Sequence, residues 1–396
     1  MDNRSNPKNW LERNPKKVIG AIILLAIGGL AVVTEKLLAR KNHGLINPAG
    51  IQRYIKLREF NPLYRDVLVP NQEAMRISDG LVQKPFVLQV DRQGFIMPAK
   101  IHDHPDLTIA FLGGSTTECV YVDEDNRFPY LAGRLLERQT RLKVNSYNAG
   151  RSGNNTLHCL NVLLNKVVNL KPDVVLMMEN INDLAILMYD KTYWNDHPSR
   201  SPLIEKPPNL KTVGKDLEQT FHLVRDLTFP NLSRELKQLS PFGRLGKRDE
   251  FHGVRGKKIT IDQDFLVREF SLNLQTFINI CRAREITPVL MTQASRLTES
   301  PDPLIKKLML SLEVGQGVTY ADFKGAFDRL NQTIRDVGAK NQVLVIDLAR
   351  EIPPVKENIA DVAHFNDQGS RLVAARIAAA LTPIIARLAK KPLSAN

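Results

Sequence analysis

Apolar positions along this chain follow three regimes. From Val18 to Val33 the sequence reads VIGAIILLAIGGLAVV, sixteen residues with no charged or polar side chain. At about 1.5 Å per residue such a helix covers roughly 24 Å, a little short of a hydrocarbon core near 30 Å. Thr34 and the long stems of Lys16, Lys17 and Lys36 extend it at both ends. The rival reading is a cleaved signal peptide, whose apolar region runs about 7–15 residues and ends in a small-residue cleavage site. This run is slightly longer and no Ala-x-Ala site follows it, which favours one uncleaved transmembrane helix over 18–34 after an N-terminal tail over 1–17. Arg4, Lys8, Arg13, Lys16 and Lys17 precede the run, and Lys36, Arg40 and Lys41 follow it. The flanks are close to balanced and lean towards a cytoplasmic tail and an extracytoplasmic remainder.

The second regime, 35–104, is mixed and reads as a linker and β-hairpin region. Val82 to Pro98 partly alternates apolar and polar residues around Asp91-Arg92-Gln93-Gly94, the pattern of a hairpin. The third regime, 105–390, alternates short apolar runs with helical stretches. Strands are predicted at Leu107–Leu112, Val144–Tyr147, Asp173–Met178, Pro288–Thr292 and Gln342–Asp347. Helices are predicted at Phe128–Arg138, Thr156–Leu170, Phe270–Ala283 and Gly369–Ala389, the last kinked or split at Pro383. Strands alternating with helices at this spacing call for an α/β fold with a central parallel sheet covered on both faces. Between about 191 and 258 the alternation lapses into Pro-, Arg- and Lys-rich sequence, an insertion whose plainest reading is a solvated loop.

With 43% hydrophobic and 24% charged residues the chain can bury a large core, which excludes global disorder. Cys119, Cys159 and Cys281 form no CxxC pair, so neither a disulfide framework nor a multi-thiolate zinc site is available. Each sits in a core-like stretch, and three buried, reduced thiols are expected ahead of a single Cys119–Cys159 bridge. A formal charge of +13 fits nucleic acid, an anionic membrane surface or simple solubility. No base-reading motif or aromatic-basic stripe supports nucleic acid. The eight His are scattered, His102 and His104 reading as a polar turn, and the chemistry below requires no metal or cofactor.

In an open parallel sheet, ligands sit beyond the carboxyl ends of the strands. The first strand ends in Gly113-Gly114-Ser115-Thr116-Thr117, a turn that exposes a hydroxyl near a helix start. Such a turn also caps helices or cradles phosphate, although the P-loop lysine is missing. The second strand ends in Asn148-Ala149-Gly150-Arg151-Ser152-Gly153-Asn154-Asn155-Thr156, and the third in Glu179-Asn180-Ile181-Asn182-Asp183. Near the C-terminal helix, Asp361-Val362-Ala363-His364 spaces a carboxylate and an imidazole to meet on one turn. Singly, each is an ordinary cap or loop.

Their order carries more. Ser, then Gly, then Asn at successive strand ends, with Asp-x-x-His before the closing helix, resembles the SGNH (GDSL-type) hydrolase superfamily from about Leu107 to Ala389. The resemblance implies a flavodoxin-like three-layer α/β/α fold. It implies Ser115 as nucleophile, His364 as general base and Asp361 as the group orienting it. The Ser115 N–H, the Gly153 N–H and the Asn182 amide would form the oxyanion hole. Two positions depart from the pattern: Gly114 stands where the motif carries Asp, and Asn180 stands where it carries Gly. The expected function is a membrane-anchored serine esterase or acyltransferase acting on an ester-bearing small molecule, glycan or lipid of the cell envelope, O-acetyl groups included. The alternative is a catalytically silent fold that binds envelope polysaccharide, against which the intact Ser, His and Asp stand.

Overall fold

The computed structural model describes residues 14–27, 52–195, 200–206 and 257–388. The chain divides into two compact units, one of residues 1–54 and 204–243, the other of residues 55–203 and 244–396. In the first, α1 (residues 15–27) leaves Ile19, Ile22, Ile23, Leu24, Leu25 and Ile27 exposed. The remainder of the expected membrane span (28–34) and most of the basic insertion (196–199 and 207–256) lie outside the described residues. β1 (Gln52–Ile55) pairs with β7 (Leu203–Lys206) in a two-stranded ribbon.

The second unit is built on five parallel strands: β4 (Leu107–Gly113), β5 (Val144–Asn148), β6 (Val174–Met178), β8 (Thr287–Met291) and β9 (Leu344–Ile346). Their spatial order is β5-β4-β6-β8-β9, the doubly wound order of flavodoxin-like sheets. Because side chains alternate across a strand, each apolar run feeds two cores. Ile109, Phe111, Val174 and Leu176 pack on one face with Phe128, Leu136, Ile377 and Leu381. These last come from α4 (Phe128–Thr140) and α11 (Asp367–Leu388). Ala110, Leu112, Val175 and Met177 pack on the other face. There they meet α5 (Thr156–Asn165), α6 (Ile181–Tyr189), α7 (Gln263–Ala283) and α9 (Tyr320–Asn341).

Several elements differ from the sequence expectation for identifiable reasons. α7 begins at Gln263, well before Phe270, because Asp262 caps it by accepting from the Phe265 N–H at 2.9 Å. Helices that went unread are α6, α8 (Pro303–Gln316), capped by Asp302 with proline in its first turn, α9, capped by Thr319, and the short α2 (Gln72–Arg76) and α10 (Leu348–Glu351). Pro383 does not split α11, which runs unbroken through it with Leu381 and Ile385 buried. One missing N–H costs less there than uncovering that face. Among the described residues α11 is the one helix long and apolar enough to cross a membrane, by length and composition only, and its buried face makes it a core helix.

The expected hairpin is also different. The chain turns at Asp91–Gly94, but the return is an isolated bridge between Val90 and Ile96. Ile96 then bridges Asn148 at the end of β5, and Pro98 has no N–H with which to extend the pairing. The partner of β3 (Phe86–Gln89) is instead β2 (Arg65–Leu68), antiparallel, with Arg65 opposite Gln89. Residues 55–104 are therefore a folded part of the sheet-bearing unit, with their own small core of Phe60, Leu88, Val90 and Ile96, and only the part before residue 55 falls outside that unit.

Cys119, Cys159 and Cys281 are buried and unpaired. Burial pushes the Cys119 and Cys281 thiols up to about 12 and Cys159 well above the ordinary thiol value. Alkylation of the native protein at neutral pH is expected to label none of them, and alkylation of the denatured, unreduced protein to label all three. A mass showing one label after denaturation means that a bridge had formed.

Candidate active site

The parallel sheet delivers the carboxyl ends of β4, β5 and β6 to one edge. There β4 turns through Gly114 into α3 (Ser115–Glu118), a single turn of helix with Ser115 as its first residue. The loop before α11 brings Asp361 and His364 to the same place. His364 Nε2 lies 2.7 Å from Ser115 Oγ, and His364 Nδ1 lies 2.8 Å from Asp361 Oδ2 and 3.0 Å from Oδ1. An ionised carboxylate only accepts, so Nδ1 carries the proton and Nε2 presents its lone pair to the serine hydroxyl. Asp361 is further fixed by the Ala363 and His364 N–H groups, each at 3.0 Å.

Burial works against the Asp361 carboxylate, but the charge of His364 and these N–H bonds outweigh it and hold its pKa below the ordinary value. The Asp361 charge in turn raises the His364 pKa. Burial opposes that rise, and the Asp361 hydrogen bond and the Glu118 charge assist it.

The other candidate groups converge on the same turn. Gly153 has φ +76°, in the left-handed region that glycine adopts freely. Asn182, in the first turn of α6, donates through Nδ2 to the Asn154 carbonyl at 2.6 Å, and its amide also hydrogen-bonds the Glu179 carboxyl. Both departures from the SGNH pattern have a local explanation. A Cβ at position 114 would sit 2.3 Å from Asn182 Nδ2, so glycine there lets the amide close in on the serine turn. Asn180, φ −169°, needs no glycine, and its buried side chain turns away to donate to the Phe327 carbonyl at 2.9 Å. Glu179, beneath this turn, is buried and takes the Cys159 thiol at 3.2 Å. Burial raises its pKa well above the ordinary carboxyl value.

Residues unread in the sequence brace the site. Gln293, just past β8, donates to Thr116 Oγ1 at 2.8 Å and accepts from the Ile181 N–H at 2.9 Å, tying the serine turn to the start of α6. The Ala360 carbonyl, next to Asp361, accepts from Ser78 Oγ at 2.8 Å and from the Gly80 N–H at 3.1 Å. Arg296 is buried between Asp79 and Asp302, and its N–H donates to the Val362 carbonyl at 2.9 Å. Buried Glu118 pairs with Arg151 at 2.8 Å, and the Arg151 guanidinium lies 4.0 Å from the Phe60 ring centroid. The only sequence signal for these was the polar residues just past a strand end, at Thr292-Gln293.

A cleft of about 590 Å³ opens over Ser115 and His364. Its apolar lining includes Phe60, Tyr64, Leu68, Ile77, Leu81 and Leu88, with the polar Glu59, Asn61 and Ser78 among them. Among the described residues, no group of three or more His, Cys, Asp or Glu side chains is placed to hold a metal ion.

An imidazole held between a carboxylate and a serine hydroxyl, at the carboxyl edge of a parallel sheet, is the arrangement of the serine acyl hydrolases. Residues 111–372 match the model of the GDSL-like Lipase/Acylhydrolase family, and the chain belongs to that family. No curated protein matches it. Among solved structures it is similar to a lipase/acylhydrolase from Enterococcus faecalis, with 18% identity, coverage of 70% of this chain and 96% of that one, and a TM-score of 0.38. It is also similar to LAE5, an alpha/beta hydrolase enzyme from the metagenome of Lake Arreo, with 15% identity, coverage of 69% and 94%, and a TM-score of 0.40. Axe2, an acetylxylan esterase from Geobacillus stearothermophilus, shows 13% identity, coverage of 71% and 96%, and a TM-score of 0.40.

A base with a raised pKa stays protonated, and so inactive, up to a higher pH. The acidic limb of kcat/KM for ester hydrolysis is therefore expected to have its midpoint above the ordinary imidazole value of 6.5. Asp361→Asn should lower the rate about 10⁴-fold and move that midpoint down. A limb that stays in place in the variant means that another group is titrating.

Proposed function

We propose that this chain is a serine ester hydrolase that works through an acyl-enzyme on Ser115, cleaving or transferring an acyl group on an envelope glycan or lipid. The observation that carries the reading is the unbroken relay from Asp361 to His364 to Ser115, at 2.8 and 2.7 Å. As the Ser115 oxygen attacks an ester carbonyl, His364 takes its proton, and Asp361 stabilises the imidazolium that forms. The negative charge on the carbonyl oxygen is met by the Ser115 N–H, the Gly153 N–H and the Asn182 amide, each worth about 3 kcal/mol by analogy with single-donor deletions. His364 then protonates the departing alcohol, and water or an acceptor hydroxyl, activated by the same imidazole, releases the acyl group. O-acetyl esters fit this chemistry, but the apolar lining of the cleft favours esters carrying a longer apolar chain.

The exposed apolar side chains of α1 support a membrane anchor at the N terminus, and the slight excess of Lys and Arg before the run supports a catalytic unit on the extracytoplasmic side. A catalytically silent binding role is disfavoured by the intact relay.

A fluorophosphonate probe is expected to label the wild type and not Ser115→Ala, and the variant should lose ester turnover by several orders of magnitude. Undiminished turnover in Ser115→Ala overturns the assignment. Across p-nitrophenyl esters from acetate to octanoate, kcat/KM should rise with chain length, and a fall points to acetyl esters instead. Removal of residues 1–34 should release the protein from membranes without detergent. Retention after carbonate washing means that another anchor exists, and release of the full chain by high salt alone points to electrostatic attachment.

A further inference from the structure

We infer that Arg58 is a positioning residue for the oxyanion hole. The inference rests on the ester-hydrolase reading and adds a residue from the segment that precedes the family-matched stretch. The Arg58 guanidinium donates through Nη2 to the Ser152 carbonyl at 2.8 Å and through Nη1 to the Gly153 carbonyl at 3.1 Å. Asn182 Nδ2 holds the next carbonyl, that of Asn154. Three successive carbonyls of the loop between β5 and α5 are thus gripped by side chains distant in sequence.

The consequence follows from peptide geometry. The Ser152 carbonyl and the Gly153 N–H belong to one planar unit and, in a trans peptide, point in opposite directions. Anchoring that carbonyl on one side aims the Gly153 N–H to the other, and among the described residues nothing accepts from it. The loop also packs on the serine turn: the Arg151 N–H donates to the Gly113 carbonyl at 3.0 Å, and the Asn154 carbonyl lies 3.2 Å from where a Cβ on Gly114 would stand.

A glycine with φ +76° has little of its own to stop that peptide from rotating, and a wrongly turned peptide would present an oxygen to the oxyanion. The planar, bidentate fork of an arginine resists the rotation in a way that a single ammonium cannot. Glycine at 153 also leaves room for the fork, since a Cβ there would lie 2.9 Å from Arg58 Nη2.

The test compares wild type, Arg58→Ala and Arg58→Lys, with kcat expressed per active site titrated by fluorophosphonate and with melting temperature measured alongside. Removing a whole oxyanion donor costs about 10²–10³-fold in kcat, and loosening one should cost about 10–100-fold. Arg58→Ala is expected to show that fall with KM within about twofold and the acidic limb of the pH profile unmoved, because the base is untouched. Arg58→Lys, able to hold one carbonyl at a time, should recover part of the loss.

A kcat per titrated site equal to wild type in Arg58→Ala overturns the inference, as does a rise in KM with kcat preserved. If Arg58→Ala does not fold, Arg58→Lys decides by the same two measures, since an unchanged kcat there leaves no role for the fork. A wild-type protein inert to esters and to the probe removes the ester-hydrolase reading, and this inference with it, whereas an active wild type with an indifferent Arg58→Ala removes this inference alone.

Discussion

One hydrogen bond of 2.7 Å, between Ser115 and His364, sets the requirement that the rest of the structure meets. Its two ends are 249 residues apart, and a displacement of an ångström would leave a hydroxyl that no base can reach. Parallel strands solve most of the problem, because every strand ends at the same edge and every connection crosses a face before returning there. Ser115 follows β4 directly, with Ile109, Phe111 and Leu112 fully buried behind it. His364 lies three residues before α11, whose Val373, Ile377 and Leu381 are sunk into one face of the same sheet. Thus the positions of both ends are set by apolar packing, and only the last few ångströms by polar contacts.

Some of those last contacts, such as that of Gln293 with Thr116, come from the strand ends themselves, and others come from the part of the chain that precedes β4. Ser78 and Gly80 hold the carbonyl next to Asp361, Asp79 pairs with Arg296, and Arg58 grips the loop that carries Gly153. The same segment supplies Phe60, beneath the Arg151 guanidinium, and apolar lining of the cleft. Electrostatics are concentrated rather than diffuse: Asp361 raises His364, and buried Glu118, paired with Arg151, adds to that field.

What was legible in the sequence and what was not divide by the range of the interaction. β6 reads VVLMM with every residue buried, so a local apolar run was enough to place it. Ser115, Asp361 and His364 stood out because each lies in a short local pattern and the patterns come in a recognisable order. Arg58, Ser78, Gln293 and Arg296 carry no such mark, since all but one of the partners named for them are tens to hundreds of residues away and a lone polar residue looks alike whether it braces a loop or faces water. The pairing of β3 failed for the same reason: alternation gives a strand its faces but does not name its neighbour, and here β2, not the return past Gly94, takes the edge. Pro383 shows the reverse, a strong local signal overridden by a buried helix face.

The family-matched stretch opens at residue 111, yet groups that steady both halves of the candidate site lie before it. The unit that folds and the unit that resembles its relatives therefore have different borders. A chimera joined at the border of resemblance would inherit the serine, the imidazole and the carboxylate from one parent, and from the other the surface that receives the substrate and the grip that steadies the loops. Residues 55–104 could thus vary the lining of the cleft without touching the strands that carry Ser115 and its neighbours.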